Sequence, residues 1–282
     1  MKFKVSAWLE YDIIAPSTLI LNIHALRTAH QTVLEETLFI DPYIKIEELN
    51  ATNGENRFVR LELPDTGHIS IKYEALVDTY YEVKDYSSIE EMPVGRCDAS
   101  VLPYLNPSRY CQSDKLSRMA NNNFGHISSP FGQVFAITDW IYRNVEYLSG
   151  STDSETSAYD TVTQQAGVCR DFAHLGIALC RALTIPARYF TGYAYQLNPP
   201  DFHACFEAYL GGDWVLFDAT RLVPLNGLVK IATSRDAADA SIASIFGNLY
   251  CTNIQASCEY ASQEPFSPLY YTKSIFDGIT YL

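Results

Sequence analysis

Three reactive side chains stand in an order that could form one thiol centre: Cys169 in GVCRDFAH, His203 in DFHA and Asp218 in LFDAT. A thiol attacks a carbonyl as its thiolate, so it needs a base that takes its proton and later protonates the leaving group. It also needs a third group that holds the imidazole in one tautomer. Cysteine, histidine and aspartate supply these parts, and the chemistry they suit is acyl transfer through a covalent thioester.

The elements around these residues must bring them together. Val168, Phe172, Leu175, Leu179 and Leu183 repeat at helical spacing, with Ala173, Gly176 and Cys180 on a small-residue face beside them. A helix apolar on two faces is a buried central helix. It should begin at Gly167-Val168-Cys169 and stop at Thr184-Ile185-Pro186, where proline forbids continuation. Cys169 then sits in the first turn, where unpaired N–H groups and the helix dipole favour a thiolate.

After that helix the period changes to two. Arg188 to Gln196, His203 to Leu210 and Trp214 to Ala219 alternate as strands, the last two joined across Gly211-Gly212 as a hairpin. With a two-residue turn Leu210 pairs with Asp213, so His203 faces Thr220 and Asp218 lies one diagonal step away. A four-residue loop closed by Tyr209 and Trp214 gives the same register. Both put His203 and Asp218 on one sheet face, whereas a three-residue loop flips one of them unless a bulge intervenes.

The first ninety residues alternate in short runs, among them Phe3 to Tyr11, Leu19 to Ile23, Val33 to Ile40, Arg57 to Leu63, Ile69 to Val77 and Thr79 to Tyr86. Breaks fall at Ala15-Pro16, Asp41-Pro42, Asn53-Gly54 and Pro64-Asp65-Thr66-Gly67. About seven strands without a helical stretch predict a β-sandwich over residues 1–90. An irregular, proline-containing linker is expected over 91–112, and an α+β core with a C-terminal tail over 113–282. Ser113-Asp114 and Ser129-Pro130 read as helix starts. Residues 220–248 read as a long ordered loop, Cys251 to Tyr260 alternates again, and the tail from Glu264 is expected to wrap the surface.

Composition excludes several classes. With 282 residues, 48% hydrophobic and 19% charged, the chain is ordinary globular material. Its net charge of −13 is the wrong sign for binding nucleic acid or an anionic membrane. No apolar run approaches a membrane span, and the opening residues lack the apolar block of a signal peptide. A cytoplasmic protein is expected, with most of its seven cysteines reduced and buried. No C-x-x-C, no paired Cys/His spacing and no calcium loop occur, so neither a metal site nor a cofactor is expected.

The stretch GVCRDFAHLGIALCRALTIPARYFTGY, then DFHACFEAYL, then DWVLFDAT resembles the transglutaminase-like superfamily, with its cysteine, histidine and aspartate in that order. NPSRYCQSDKL upstream and RLVPLNGLVKIATSRDAAD downstream resemble its bacterial cysteine-protease branch, which carries a β-rich domain before the core. Two positions depart from the family pattern: Cys205 stands where tryptophan is common, and Ala219 where proline is common. The resemblance implies a papain-like core with Cys169 as nucleophile, His203 as general base and acid, and Asp218 as orienting carboxylate. It also implies that the Cys169 backbone N–H helps to hold the oxyanion, with Gln164, Gln165 and Trp140 as candidates for a second donor.

Plainer roles fit the remaining polar residues. His174, five residues after the cysteine, points to another helix face and is expected to be a core histidine. Arg170 and Asp171 are expected to form charge-assisted bonds within the core. Glu35-Glu36, Glu47-Glu48 and Glu90-Glu91 are expected on solvated faces of the β domain, and Cys180 and Cys205 as packing residues. The function expected is hydrolysis of an amide in a peptide or protein substrate, by a cysteine peptidase or amidase. The same acylation chemistry also serves a glutamine deamidase or a transglutaminase, and a folded but inactive scaffold for interactions is the alternative from another class.

Overall fold

The computed structural model describes residues 1–51, 56–90, 92–271 and 276–281. The Asn53-Gly54 turn and Glu91 lie outside the described residues. Alternation builds the N-terminal part. In β1 (Lys2–Ile13) every second side chain from Phe3 to Ile13 is buried, as period-two geometry requires of a strand with one covered face. β2 (Ser17–Leu21), β3 (Gln31–Asp41), β4 (Ile46–Asn50), β5 (Arg57–Leu63) and β6 (Gly67–Thr79) follow. A bulge between Val33 and Glu35 shifts the parity of β3, so Glu36 is turned toward the core side. There it receives Arg57, Arg27 and the Tyr73 hydroxyl at 2.6–3.0 Å rather than facing solvent as expected.

β7 (Glu82–Asp85) leads into a 3-10 turn region and then the helices α1 (Ser113–Phe124) and α2 (Pro130–Asn144). The Ser129 hydroxyl accepts the Gly132 N–H at 3.1 Å, and Pro130 occupies the first helical position. A two-residue strand β8 (Glu146–Tyr147), α3 (Ala158–Gln164), a second two-residue strand β9 (Ala166–Gly167) and α4 (Cys169–Ala182) follow. The remaining strands are β10 (Ala187–Ala194), β11 (Phe202–Leu210), β12 (Asp213–Phe217), β13 (Leu228–Ser234), β14 (Ala243–Phe246), β15 (Leu249–Tyr260) and β16 (Asp277–Thr280).

Two four-stranded sheets, β15-β1-β6-β3 and β14-β2-β5-β4, make the sandwich, and the six-stranded sheet β13-β10-β11-β12-β16-β7 forms the core. The strand order crosses the boundaries expected from the sequence. Residues 243–260 return to complete both sandwich sheets, and β7, before residue 90, forms an edge of the core sheet. Residues 220–248 are no single loop, because they contain β13 and β14. The tail does more than wrap the surface: β16 pairs with β12 and β7, and Tyr281 is buried. These pairings bury the apolar residues of β1, β2, β5, β6 and α4 in one continuous cluster.

Helix α4 is the axle of the core. Phe172, Ala173, Leu175, Ile177, Ala178, Leu179 and Cys180 are all buried. A Cβ on Gly176 would come within 2.5 Å of the Phe206 ring, so glycine there lets β11 lie close against the helix. Phe202, Ala204, Phe206 and Ala208 belong to the core cluster that α4 shares, whereas Cys205 belongs to a second cluster with Phe190, Leu216, Val223 and Tyr281. His203 and Cys205 therefore share one side of β11 while their neighbours serve the other. Among the described residues no helix is long and apolar enough to cross a membrane.

Candidate active site

The start of α4 is fixed by a buried carboxylate. Asp171, fully buried, accepts the Val168 N–H at 2.9 Å and the Thr152 hydroxyl at 2.8 Å on Oδ2. Its Oδ1 receives Arg170 at 3.2–3.3 Å, and Arg170 also donates to the Asp153 carbonyl. A carboxylate in the first helical turn satisfies an otherwise unpaired N–H and complements the dipole. Gly167 is required here, because a Cβ would fall 2.8 Å from the Asp171 Cβ. Cys169, the first residue of the helix, is only partly buried.

Parallel pairing of β8 with β9 sets Tyr147 opposite Gly167, with its ring 5.8 Å from that of Phe172. Tyr147 and Cys169 interact electrostatically. Burial, first, and the neighbouring Cys169 charge push its ionisation up to about 12, while His203 pulls the other way. This residue was missed in the sequence, where two strand residues after a long helix give no readable period.

The hairpin adopts the two-residue turn. Leu210 pairs with Asp213 and Phe206 with Phe217, so the expected register holds. His203 Nε2 and Asp218 Oδ2 are 3.0 Å apart, and both side chains are buried. Asp218 Oδ1 accepts the Thr220 N–H at 2.8 Å and the Thr220 hydroxyl at 2.7 Å. The Asp218 N–H donates to the Tyr271 hydroxyl at 3.0 Å, which donates in turn to the Leu216 carbonyl, so the tail braces the aspartate.

The second ring nitrogen of His203, Nδ1, is buried without a hydrogen-bond partner among the described residues. Burial works against a charged ring, but the Asp218 charge, then Cys205, the Asp218 hydrogen bond and Cys169 outweigh it and raise the His203 pKa well above 6.5.

Cys205 lies in the same cluster. One donor atom each of His203, Cys205 and Asp218 falls within 4.8 Å of the others, all three residues being buried. Burial, and then the Asp218 charge, push the Cys205 thiol up to about 12. Sequence reasoning expected no ligand set; the signal for this one is the H-x-C spacing on a single strand face. Gln165 caps α3 in the left-handed conformation, with φ of 55°, and its carbonyl receives the Glu146 N–H. His174 is a core residue, as expected: its Nε2 accepts the Ala237 N–H at 3.1 Å and its ring stacks on Tyr110 at 5.0 Å.

A cysteine at the start of a buried helix, opposite a strand that carries a histidine and a hairpin that supplies its aspartate, defines the architecture of papain-like thiol proteins. The comparisons with known proteins agree. Residues 1–100 match the bacterial transglutaminase N-terminal domain, and residues 118–219 match the transglutaminase-like superfamily core. A crystal structure of a "putative cysteine protease" from Cytophaga hutchinsonii is 58% identical. It superposes with a TM-score of 0.97 over 100% of this chain and 98% of that one. An uncharacterized protein of Mycobacterium leprae is 27% identical over 165 residues, 55% of this chain and 59% of its own length. One of Mycobacterium bovis is 42% identical over 60 residues, 21% of this chain and 19% of its own. The chain thus spans only part of these two mycobacterial relatives. It belongs to the transglutaminase-like superfamily, with a bacterial transglutaminase N-terminal domain before the core.

Proposed function

We propose that this protein is a thiol-dependent amide hydrolase, a cysteine peptidase or amidase, with Cys169 as nucleophile, His203 as general base and acid, and Asp218 as the orienting carboxylate. The observation that carries this is the 3.0 Å contact of His203 Nε2 with Asp218, which leaves Nδ1 without a hydrogen-bond partner among the described residues while Cys169, at a helix N-terminus, acts electrostatically on the ring. A ring whose protonated form is favoured stabilises a thiolate next to it.

In the reaction Nδ1 takes the Cys169 proton and the sulfur bonds to the amide carbon. The carbonyl electrons move to oxygen, and the resulting oxyanion can accept a hydrogen bond from the Cys169 N–H. Collapse breaks the C–N bond, and the imidazolium gives its proton to the departing amine. Water, deprotonated by the same ring, then attacks the thioester and restores the thiol. The substrate is a peptide or protein; the net charge of −13 argues against nucleic acid and anionic membranes as partners. Seven unpaired cysteines suit a reducing, cytoplasmic setting.

Incubation with a defined peptide mixture, followed by mass spectrometry, tests this function. Hydrolysis of a main-chain amide yields two shortened products that together account for one added water. Conversion of glutamine to glutamate, or condensation with an amine, identifies a deamidase or a transglutaminase instead. An unchanged mixture favours an inactive scaffold.

A further inference from the structure

The residue two positions after the histidine on β11 is a cysteine, and the fold turns its thiol toward the His203–Asp218 pair. His203 and Cys205 are two apart on β11 and so share a face. The hairpin register that pairs Leu210 with Asp213 brings Asp218 opposite Cys205 when it is continued beyond β12. The outcome is a nitrogen, a sulfur and a carboxylate oxygen within 4.8 Å of one another, each on a residue 1% exposed. We propose that His203, Cys205 and Asp218 form a binding site for a thiophilic divalent cation of the zinc class, and that the bound cation holds the thiol centre inactive. The second half rests on the hydrolase function proposed above; the first does not.

Four points support the site. The donor set is the mixed imidazole, thiolate and carboxylate that zinc accepts and that magnesium or calcium does not favour. Donors around zinc at about 2.0–2.3 Å stand roughly 3.5 Å apart in a tetrahedron, so side-chain shifts on the order of 1 Å close the present spacing. Charge also balances: one thiolate and one carboxylate neutralise a divalent cation in a buried place, where an unpaired charge is costly. The buried Nδ1 of His203 adds a polar atom that no group among the described residues satisfies.

Binding exchanges protons for the metal. The Cys205 S–H bond breaks, the ligating ring nitrogen of His203 gives up its N–H proton, sulfur and nitrogen each donate a pair to the cation, and both protons leave to water. A ring nitrogen that ligates the cation has no lone pair for the Cys169 proton at that position, and the cation's charge disfavours protonation of the whole ring. Chelation should accordingly leave hydrolysis intact or raise it.

Cobalt(II) is the probe, because its bond to a thiolate absorbs light. The Cys169→Ala protein should bind one equivalent with a sulfur-to-cobalt charge-transfer band. The Cys169→Ala/Cys205→Ser double variant should lack that band at a matched melting temperature, and Cys205→Ala in place of Cys205→Ser guards against a serine-specific defect. The same band in both proteins, or none in either, overturns the site. With the active enzyme, zinc should inhibit reversibly, and Cys205→Ser should need at least about tenfold more zinc for the same fractional inhibition. Equal inhibition overturns the switching role. Cobalt binding needs no turnover, so a protein that binds through Cys205 yet hydrolyses no amide keeps the site and rejects the function.

Discussion

His203 and Asp218 are joined across the β11–β12 hairpin by a 3.0 Å Nε2–Oδ2 contact, with side-chain exposures of 0% and 1%. Their partnership is exclusive on one side only. Asp218 gives one oxygen to the histidine and the other to Thr220, so the same carboxylate orients the imidazole and closes the turn that follows β12. The Tyr271 hydroxyl, from the C-terminal tail, fixes the backbone at this point.

The two jobs of Asp218 can be separated by substitution. In the Asp218→Asn protein the amide oxygen can still accept the Thr220 N–H and hydroxyl. The amide nitrogen, however, presents hydrogens to Nε2 and selects the wrong tautomer. Turnover should fall about 10²–10⁴-fold, with a stability change under about 1 kcal/mol. Asp218→Ala should lose activity and also about 1–3 kcal/mol for the buried donors left unpaired. Parallel kinetics and denaturant melts check both; a normal turnover number for Asp218→Asn assigns the aspartate to structure alone.

The same contact sets the histidine's titration. Burial by itself lowers the pKa, yet Asp218's charge and hydrogen bond carry it well above 6.5. A folded-state pKa raised above the unfolded value gives stability that is fully present below pH about 6.5. That stability is lost as the pH rises through the folded-state value. Ring resonances of His203 in the NMR spectrum should titrate above 6.5 in the native protein and move to lower pH in Asp218→Asn.

His24 behaves in the opposite sense. It is 3% exposed in the β domain, and burial, then the Arg57 charge, lower its pKa to about 4. The neutral ring is required by the fold, so its contribution is present above the unfolded pKa, about 6.5, and is lost as the pH falls through about 4. The loss is on the order of 3 kcal/mol at most. Urea melts between about pH 7 and about pH 4 should show this decline, and His24→Gln should flatten it.

The cysteines should react in a set order. Cys111, Cys180 and Cys205 are buried, with burial raising each thiol, and the exposed Cys251 is raised too, first by burial. Cys169 is partly open at a helix N-terminus beside a histidine that favours its protonated form. Iodoacetamide below about pH 7, followed by peptide mapping, should modify Cys169 well before Cys251. Labelling that starts at Cys251 contradicts an activated Cys169.

Much of the site was legible because it is built from local signals. The proline after Thr184-Ile185 marked the end of α4, and Gly211-Gly212 marked the hairpin turn, whose two-residue form is the register that aligns His203 with Asp218. What was hidden depends on partners far away in sequence. Nothing near Leu249–Tyr260 says that this strand pairs with β1, nor that Glu82–Asp85 joins the core sheet through β16. Tyr271 supports Asp218 from 53 residues away, and a two-residue parallel pair sets Tyr147 opposite Gly167. Glu36 looked solvated until a one-residue bulge turned it inward to Arg57.

The central claim is that Cys169 carries the acyl group of an amide substrate. Acid-quenched intact-mass analysis during turnover, with peptide mapping of the adduct, measures this directly. The native enzyme should show a transient acyl adduct, labile to hydroxylamine, on the peptide containing Cys169, together with released amine. Cys169→Ala should show neither. Product formed by Cys169→Ala at the native rate, or an adduct mapped to another residue, would contradict the account.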